Sequence, residues 1–410
     1  MTDDFIPLLN AFEIIFDLSI QRALGAATCP DDSPSRWKEA MAGPDSDRWM
    51  DAAQTEIDAL LANGTWELVE LTEGQQAIGS RWVFLIKHQA DGTIDRYKAR
   101  LVARGDNQHP GIDYNQVFTP TAQLRALRAI LAQAALAGEY IESLDISNAY
   151  LNRELEKEYK VYMQQPKGFQ KHGKNGKKWV CQLMKGIYGL KQSGCLWYHK
   201  LSETLEKMGF TQIKSDPSIY IWIIKGIHII LPVFINDITI VSQDCHKITL
   251  IKDNLWKFFK IKDLGPTSYL LGIKIDYDQK NRTLQLSQRQ YILNMLSWFK
   301  LTECNPVSTP MDPGIQLSKL LCPTTKEETE EMDKVPYMNA VGALMYLAIG
   351  TRPNIAYSVA KLSQFNTNPG RGHWQAVKHI FRYLKGTMDL KLVVITAKHL
   401  NSTPKATQNN

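Results

Sequence analysis

At 410 residues the chain is too long for one compact core, so two or three lobes are expected. With 44% hydrophobic and 22% charged residues it has the make-up of an ordinary globular protein, and its formal net charge of +6 permits an anionic partner such as nucleic acid without requiring one. The six cysteines form no C-x-x-C and the nine histidines no H-E-x-x-H, which argues against a disulfide framework or a zinc site and for reduced thiols.

Residues 1–45 read as a variable leader, with the turn-rich CPDDSPS inside it. Its start, Met1-Thr2-Asp3-Asp4, lacks the cationic flank of a secretory signal. From Ser46 the spacing of Trp49, Ala52, Ile57 and Leu60 predicts a helix that stops at Asn63-Gly64. Strand-like pieces follow (WELVEL, SRWVFLIKHQ, YKARLVAR), the last two joined by a hairpin turn at residues 90–93. Residues 121–139 form an alanine- and leucine-rich helix, and YIESLDI a strand. A polar, basic loop spans 171–178, and a helix spans 194–209. The stretch from Ile219 to Ile235 looks membrane-like at first. Lys225-Gly226 and Pro232 interrupt it, so two buried strands are expected. The segment from Asp244 to Gly265 reads as one helix, and a second hairpin turns around residues 279–281. From about 290 to 386 the pattern is helical, broken by STPMDPG and by an acidic loop near KEETEEMD. Helices flanking antiparallel strands point to an α+β fold.

Two places put carboxylates at the end of an apolar strand. One is Asp145, in ESLDISNAYL. The other is Asn236-Asp237, inside LPVFINDITIVS, where apolar residues run up to the polar pair and resume at once. A charge at a buried strand end needs a partner. Two acids converging there would suit a divalent-metal site for in-line phosphoryl or nucleotidyl transfer. Asx residues also populate strand turns with no catalytic task, so residue types alone leave both readings open.

The ordered motifs GSRWVFLIK, DRYKARLVARG, GIDYNQVFTP, LDISNAYLNRELEKEYKVYMQQPKGF, KGIYGLKQSGCLWY, FINDI, IKDLG, YLLGIKI, SQRQYI, STPMDP, VGALMYLAIGTRPNIAYSV and RYLKGT together resemble the reverse transcriptase of copia-type LTR retrotransposons, over about residues 46–390. The resemblance implies a right-hand polymerase with an antiparallel palm sheet flanked by helices. Fingers and palm would occupy 46–300, a thumb or connection-like helical region 301–390, and a disordered tail 391–410.

It also implies roles for single residues. Asp145 would be the first metal-binding aspartate, with the Ile146 carbonyl as accessory ligand, and Asn236 and Asp237 would complete the catalytic set around two Mg²⁺ ions, or Mn²⁺. Tyr150 would exclude a ribose 2′-hydroxyl. Arg100 and Lys87 would contact the nucleotide triphosphate, and Gly189 and Lys191 would form a loop beside the nucleotide, whereas Trp197 is expected in a helix core. The family carries two aspartates on the hairpin. Asn236 stands in place of the first, so an impaired RNA-directed DNA polymerase is expected, with a catalytically inactive nucleic-acid-binding remnant as the alternative. Pro232 and Gly194 depart from the family pattern in the same region. The expected partners are RNA or DNA template-primer, deoxynucleoside triphosphates and other Pol domains such as RNase H and integrase, with no membrane. The motifs end where an RNase H domain would continue, so the chain reads as part of a polyprotein. The expected setting is the cytoplasm, in a virus-like particle for an intact element, with the nucleus as the other compartment.

Overall fold

The computed structural model describes residues 33–88, 93–156, 158–172 and 179–395. Most of the expected leader, the turn at 90–92, residues 173–178 of the basic loop and the tail beyond 395 lie outside the described residues. The chain forms two compact units. Unit I comprises 33–123 and 140–266, and unit II comprises 124–139 and 267–395. In chain order the strands of unit I are β1 (Trp66–Glu70), β2 (Ala77–Ile78), β3 (Ser80–His88), β4 (Ile94–Ala103), β5 (Tyr140–Ile146), β6 (Tyr162–Gln164), β7 (Trp179–Leu183), β8 (Thr211–Ile213), β9 (Asp216–Ile224), β10 (Ile227–Phe234), β11 (Asp237–Ser242) and β12 (Ile261–Pro266). Unit II contributes β13 (Tyr269–Leu270), β14 (Ile273–Asp278), β15 (Thr283–Ser287) and β16 (Leu392–Val394).

The main sheet of unit I is antiparallel, in the order β12-β5-β11-β10-β9-β8. The two strands expected between Ile219 and Ile235 are β9 and β10. They meet at Lys225-Gly226, where both residues have positive φ (49° and 79°), the backbone that matches a two-residue hairpin to strand twist. Among the described residues no helix is long and apolar enough to cross a membrane. Alternation sends Leu144, Ile146, Ile238 and Ile240 to one face, where they are fully buried against Trp197, Leu201 and Leu205 of the helix Ser193–Lys207 and Ile248, Ile251 and Leu255 of the helix Cys245–Trp256. Asp145 and Asp237 therefore project from the other face. Pairing of β10 with β11 runs through Ile230–Val241 and resumes at Val233–Ile238. The interruption includes Pro232, which has no N–H to donate.

The helix predicted from Asp244 to Gly265 is shorter than expected. It ends at Trp256, and the IKDLG motif forms β12, hydrogen-bonded to β5. The two elements are tied together by Lys252, whose side chain is 8% exposed and whose Nζ donates to Glu142 on β5 and Asp263 on β12.

Unit I also holds a small sheet in the order β1-β7-β6-β2 and the two-stranded ribbon β3–β4. The ribbon has two unlike faces. Trp82, Phe84, Ala99 and Leu101 are buried against the predicted helix, observed as Ser46–Ala62 with Asn63 capping its end. The other face pairs Lys87 with Arg96, Leu85 with Lys98 and Val83 with Arg100.

Unit II sets an antiparallel sheet, β13-β14-β15-β16, beside mostly helical chain. Its helix Arg371–Gly386 buries His373, Ala376, Val377, Ile380, Phe381 and Leu384, the i, i+3, i+4, i+7 stripe of an amphipathic helix. The acidic segment expected to be a loop is instead the helix Lys326–Met332. Thr325 and Glu328 close a reciprocal capping box, enough to start a helix in a highly charged stretch.

The buried lysine makes a testable link between the helix and β5. Lys252→Ala leaves two carboxylates facing each other and is expected to lower the unfolding free energy by about 3 kcal/mol, read from urea denaturation. A loss below about 1 kcal/mol would show the triad to be as weak as a surface pair.

Candidate active site

The antiparallel register pairs Asp237, the first residue of β11, directly with Asp145, the penultimate residue of β5. Directly opposed residues share a face with Cβ atoms about 5 Å apart, so two half-buried carboxylates stand side by side. Burial, and next the Asp145 charge, push the Asp237 carboxyl up from 3.8 to about 6. On the other side of Asp145 the register partner is Lys262 of β12, an exposed cation on the same face.

The turn before Asp237 is Ile235-Asn236. Ile235 has φ +58°, a left-handed backbone that costs a β-branched residue roughly 1–2 kcal/mol. Three bonds hold it there. Trp197 Nε1 donates to the Ile235 carbonyl at 2.7 Å, the Ile146 amide donates to the Asn236 carbonyl at 2.9 Å, and Asn236 Nδ2 donates to Asp145 Oδ1. Trp197 is thus a core residue, as expected, and also a clamp on the turn. Asn236 meets Asp145 as a neutral hydrogen-bond donor, where a carboxylate would bring a further negative charge.

The remaining expected residues are placed by other elements of unit I. Lys87 and Arg100 lie on the cationic face of β3–β4. Burial, and then the neighbouring arginines, lower the Lys87 ammonium, and burial followed by Arg100 and Lys87 lower Lys98. Arg100 stacks over the ring of Tyr188 at 4.7 Å. Tyr150 sits in the short 3₁₀ turn Ala149–Asn152 after β5, its ring edge-on to Tyr188 at 4.9 Å, and burial pushes its hydroxyl up to about 12. Gly189 has φ +90°, and a Cβ there would lie 2.1 Å from the Ala103 carbonyl, so the fold alone already demands glycine. Lys191 is exposed, with its amide held by Gln108 Oε1 at 2.9 Å. Gly194 packs against Thr119, whose Oγ1 would be 2.5 Å from any Cβ at 194.

Four nearby residues were not anticipated from sequence: Lys262, Tyr188, Lys98 and Glu56. Glu56 carried a readable signal, because it lies on the buried stripe of its helix, between Ala53 and Leu60. Its Oε1 accepts the Leu101 amide at 3.2 Å, and burial pushes its carboxyl up against that hydrogen bond and the pull of Arg100 and Lys98.

Among the described residues no three His, Cys, Asp or Glu side chains form a group that could hold a metal ion. The donor set is a pair of acids, Asp145 and Asp237. A divalent cation bound by both, with other oxygens completing its shell, fits that pair and would relieve the repulsion that adds to burial in raising Asp237.

Comparison with known proteins gives a consistent result. Residues 63–313 match the family described as reverse transcriptase (RNA-dependent DNA polymerase). The chain is 42% identical over 358 residues to the retrovirus-related Pol polyprotein from transposon TNT 1-94 of Nicotiana tabacum, covering 87% of this chain and 27% of that protein. It is 40% identical over 343 residues to the corresponding polyprotein from transposon RE1 of Arabidopsis thaliana, covering 83% and 22%. It is 26% identical over 368 residues to the Ty1-LR2 Gag-Pol polyprotein of Saccharomyces cerevisiae, covering 85% and 20%. The chain therefore spans about a quarter of the length of the curated relatives it matches.

The raised Asp237 carboxyl has a defined pH signature. Between 3.8 and about 6 the folded chain binds more protons than the unfolded one, so this group's contribution to stability falls as pH rises through that window. Asp237→Asn should therefore be more stable than the parent above pH 7, by about 2 kcal/mol, with the two converging near pH 4. Millimolar Mn²⁺ should raise the melting temperature of the parent at pH 7.5 and leave that of the variant unmoved. Parallel stability–pH curves would show that the fold does not raise the Asp237 carboxyl.

Proposed function

The chain belongs to the reverse transcriptase (RNA-dependent DNA polymerase) family and resembles copia-type Pol polyproteins, and on that footing we propose that it is an RNA-directed DNA polymerase domain whose chemistry is weakened by Asn236. The observation that carries this reading is the direct register of Asp145 with Asp237, with the Asn236 amide hydrogen-bonded to Asp145. On the right-hand polymerase plan, fingers and palm fall within 46–300 and a thumb or connection-like region within 301–390, with the Asp145–Asp237 pair on the palm floor.

Enzymes of this family use divalent metal ions. Two Mg²⁺ ions, or Mn²⁺, held by Asp145, Asp237 and the Ile146 carbonyl would activate a primer 3′-hydroxyl and neutralise the leaving pyrophosphate. The chain's own groups do the rest. Arg100 and Lys87, on one face of the ribbon, offer charge to a triphosphate. Tyr150 presents a half-buried ring where a ribose 2′-hydroxyl would have to fit. Gly189 and Lys191 shape the adjoining loop. The substrates are then a template-primer and deoxynucleoside triphosphates, with RNase H and integrase domains as companions in the intact element, in the cytoplasm.

A single observation also favours the alternative, an inactive nucleic-acid-binding remnant. The Asn236 amide already occupies one oxygen of Asp145 and brings no charge of its own. Removing one electrostatic catalytic group typically lowers the rate about 10²–10³-fold.

The deciding experiment is primer extension on an RNA template in Mg²⁺ and in Mn²⁺. The parent should extend weakly, and Asn236→Asp should raise the rate about a hundredfold. Arg100→Ala in the Asn236→Asp background should raise the KM for deoxynucleotide. A folded Asn236→Asp protein that binds template-primer in a salt-dependent way yet incorporates nothing in either metal would favour the inactive remnant.

A further inference from the structure

We propose that Tyr188 is a positioning residue that fixes Arg100 and Tyr150 relative to one another, so that one ring sets both the phosphate contact and the sugar gate. What Arg100 and Tyr150 touch rests on the polymerase reading above; the coupling between them rests on geometry alone.

The sequence KGIYGLKQ gives Tyr188 no obvious task. Its surroundings do. The guanidinium of Arg100 lies over one face of the ring at 4.7 Å, within cation–π range. The Tyr150 ring meets Tyr188 edge-on, with centroids 4.9 Å apart and planes at 79°, the preferred T-shaped geometry. A half-buried ring held from two sides has little freedom to turn.

The backbone of Tyr188 is fixed as firmly. In the two-stranded ribbon, β4 has one edge without a strand partner, whose amides need other acceptors. Leu101 donates to Glu56, and Ala103 donates to the Tyr188 carbonyl at 2.8 Å. Gly189, packed on the Ala103 carbonyl, lets the loop come this close. Arg100 therefore projects from a strand whose edge is pinned at the two alternate residues that follow, Leu101 and Ala103, with Tyr188 itself one of the pins. The charges of Asp145 and Asp237 also add, after burial, to the upward push on the Tyr188 hydroxyl, which places the ring in the field of the acid pair.

A residue that merely filled space would be replaceable by an apolar group of similar size. A residue that couples two others would not. Losing the cation–π face should weaken binding of inorganic tripolyphosphate about fivefold in Tyr188→Leu. Tyr188→Phe, which keeps the ring, should stay close to the parent. Adding Tyr188→Leu to Arg100→Ala should bring no further loss, because the ring acts through the arginine.

The coupling has its own readout, independent of ligand and catalysis. With 3-fluorotyrosine at position 150 of the full chain, Arg100→Ala should move the ¹⁹F resonance roughly twice as far with Tyr188 present as in Tyr188→Leu. Tyr188→Met serves the same purpose if the leucine variant does not fold. In the Asn236→Asp background, Tyr188→Leu should also lower discrimination of dTTP against UTP. Equal ¹⁹F displacements in both backgrounds, or additive losses of tripolyphosphate affinity, would overturn the proposal. A parent that binds no tripolyphosphate but shows the ¹⁹F coupling would support the positioning role and refute the polymerase reading of Arg100.

Discussion

Two carboxylates stand next to each other because a β-sheet register puts them there, and the register is set by groups that carry no charge. Shifting β11 by one residue against β5 would turn Ile238 and Ile240 out of the core and Asp237 into it. Leu144 and Ile146 on β5 hold the same face from the other side. The hydrophobic free energy of these side chains, roughly 1.5–3 kcal/mol each, outweighs the repulsion between the acids. Lys252, bridging Glu142 on β5 and Asp263 on β12, and Trp197, holding the Ile235 carbonyl, add directional restraints to the same strands. The charged face is thus an imposed arrangement, and the Asp237 carboxyl is raised by its burial and then by the Asp145 charge beside it.

Asn236 sits where the demands of folding and of chemistry oppose each other. A third carboxylate in this half-buried corner would deepen the repulsion already visible at Asp237. The amide instead donates to Asp145 and adds no charge. On the proposed reading, an amide here is easy on the fold for the reason that it is hard on catalysis: both depend on how much negative charge is gathered at one point. The turn itself is strained, with Ile235 held in a left-handed backbone, so the geometry of the hairpin does not depend on a charge at position 236.

What the sequence discloses follows from how local each signal is. The β9–β10–β11 meander was legible because long apolar runs are cut by turn residues, and the turn at Lys225-Gly226 is written in two residues. β12 was not. Ile261 and Leu264 sit three apart, which continues a helical stripe, and only pairing with β5 makes IKDLG a strand. Lys262 was lost with it, since its place beside Asp145 exists only in the register. The capping box at Thr325 was local and could have been read from Thr-x-x-Glu. Tyr188 could not, because its two aromatic and cationic contacts come from segments 38 and 88 residues away. Proline is rare in a central strand, and the interrupted ladder around Pro232 shows how the sheet accommodates one missing donor.

Unit I carries two arrays of like charge, and each is unfavourable alone. On β3–β4 the amines of Lys87 and Lys98 are held below their usual range by burial and by neighbouring cations. On β5 and β11 the Asp237 carboxyl is held above its range by burial and by Asp145. Tyr188 bears on both, stacked under Arg100 and within the field of the two aspartates. A simple anion would relieve only the first array and a free cation only the second. On the proposed reading, a triphosphate accompanied by divalent metal presents both signs in one ligand. The chain then need not screen its own arrays internally, and the excess charge on each becomes the source of affinity for a partner of matching pattern. Full neutralisation within the fold would make unit I more stable and leave it less to bind with.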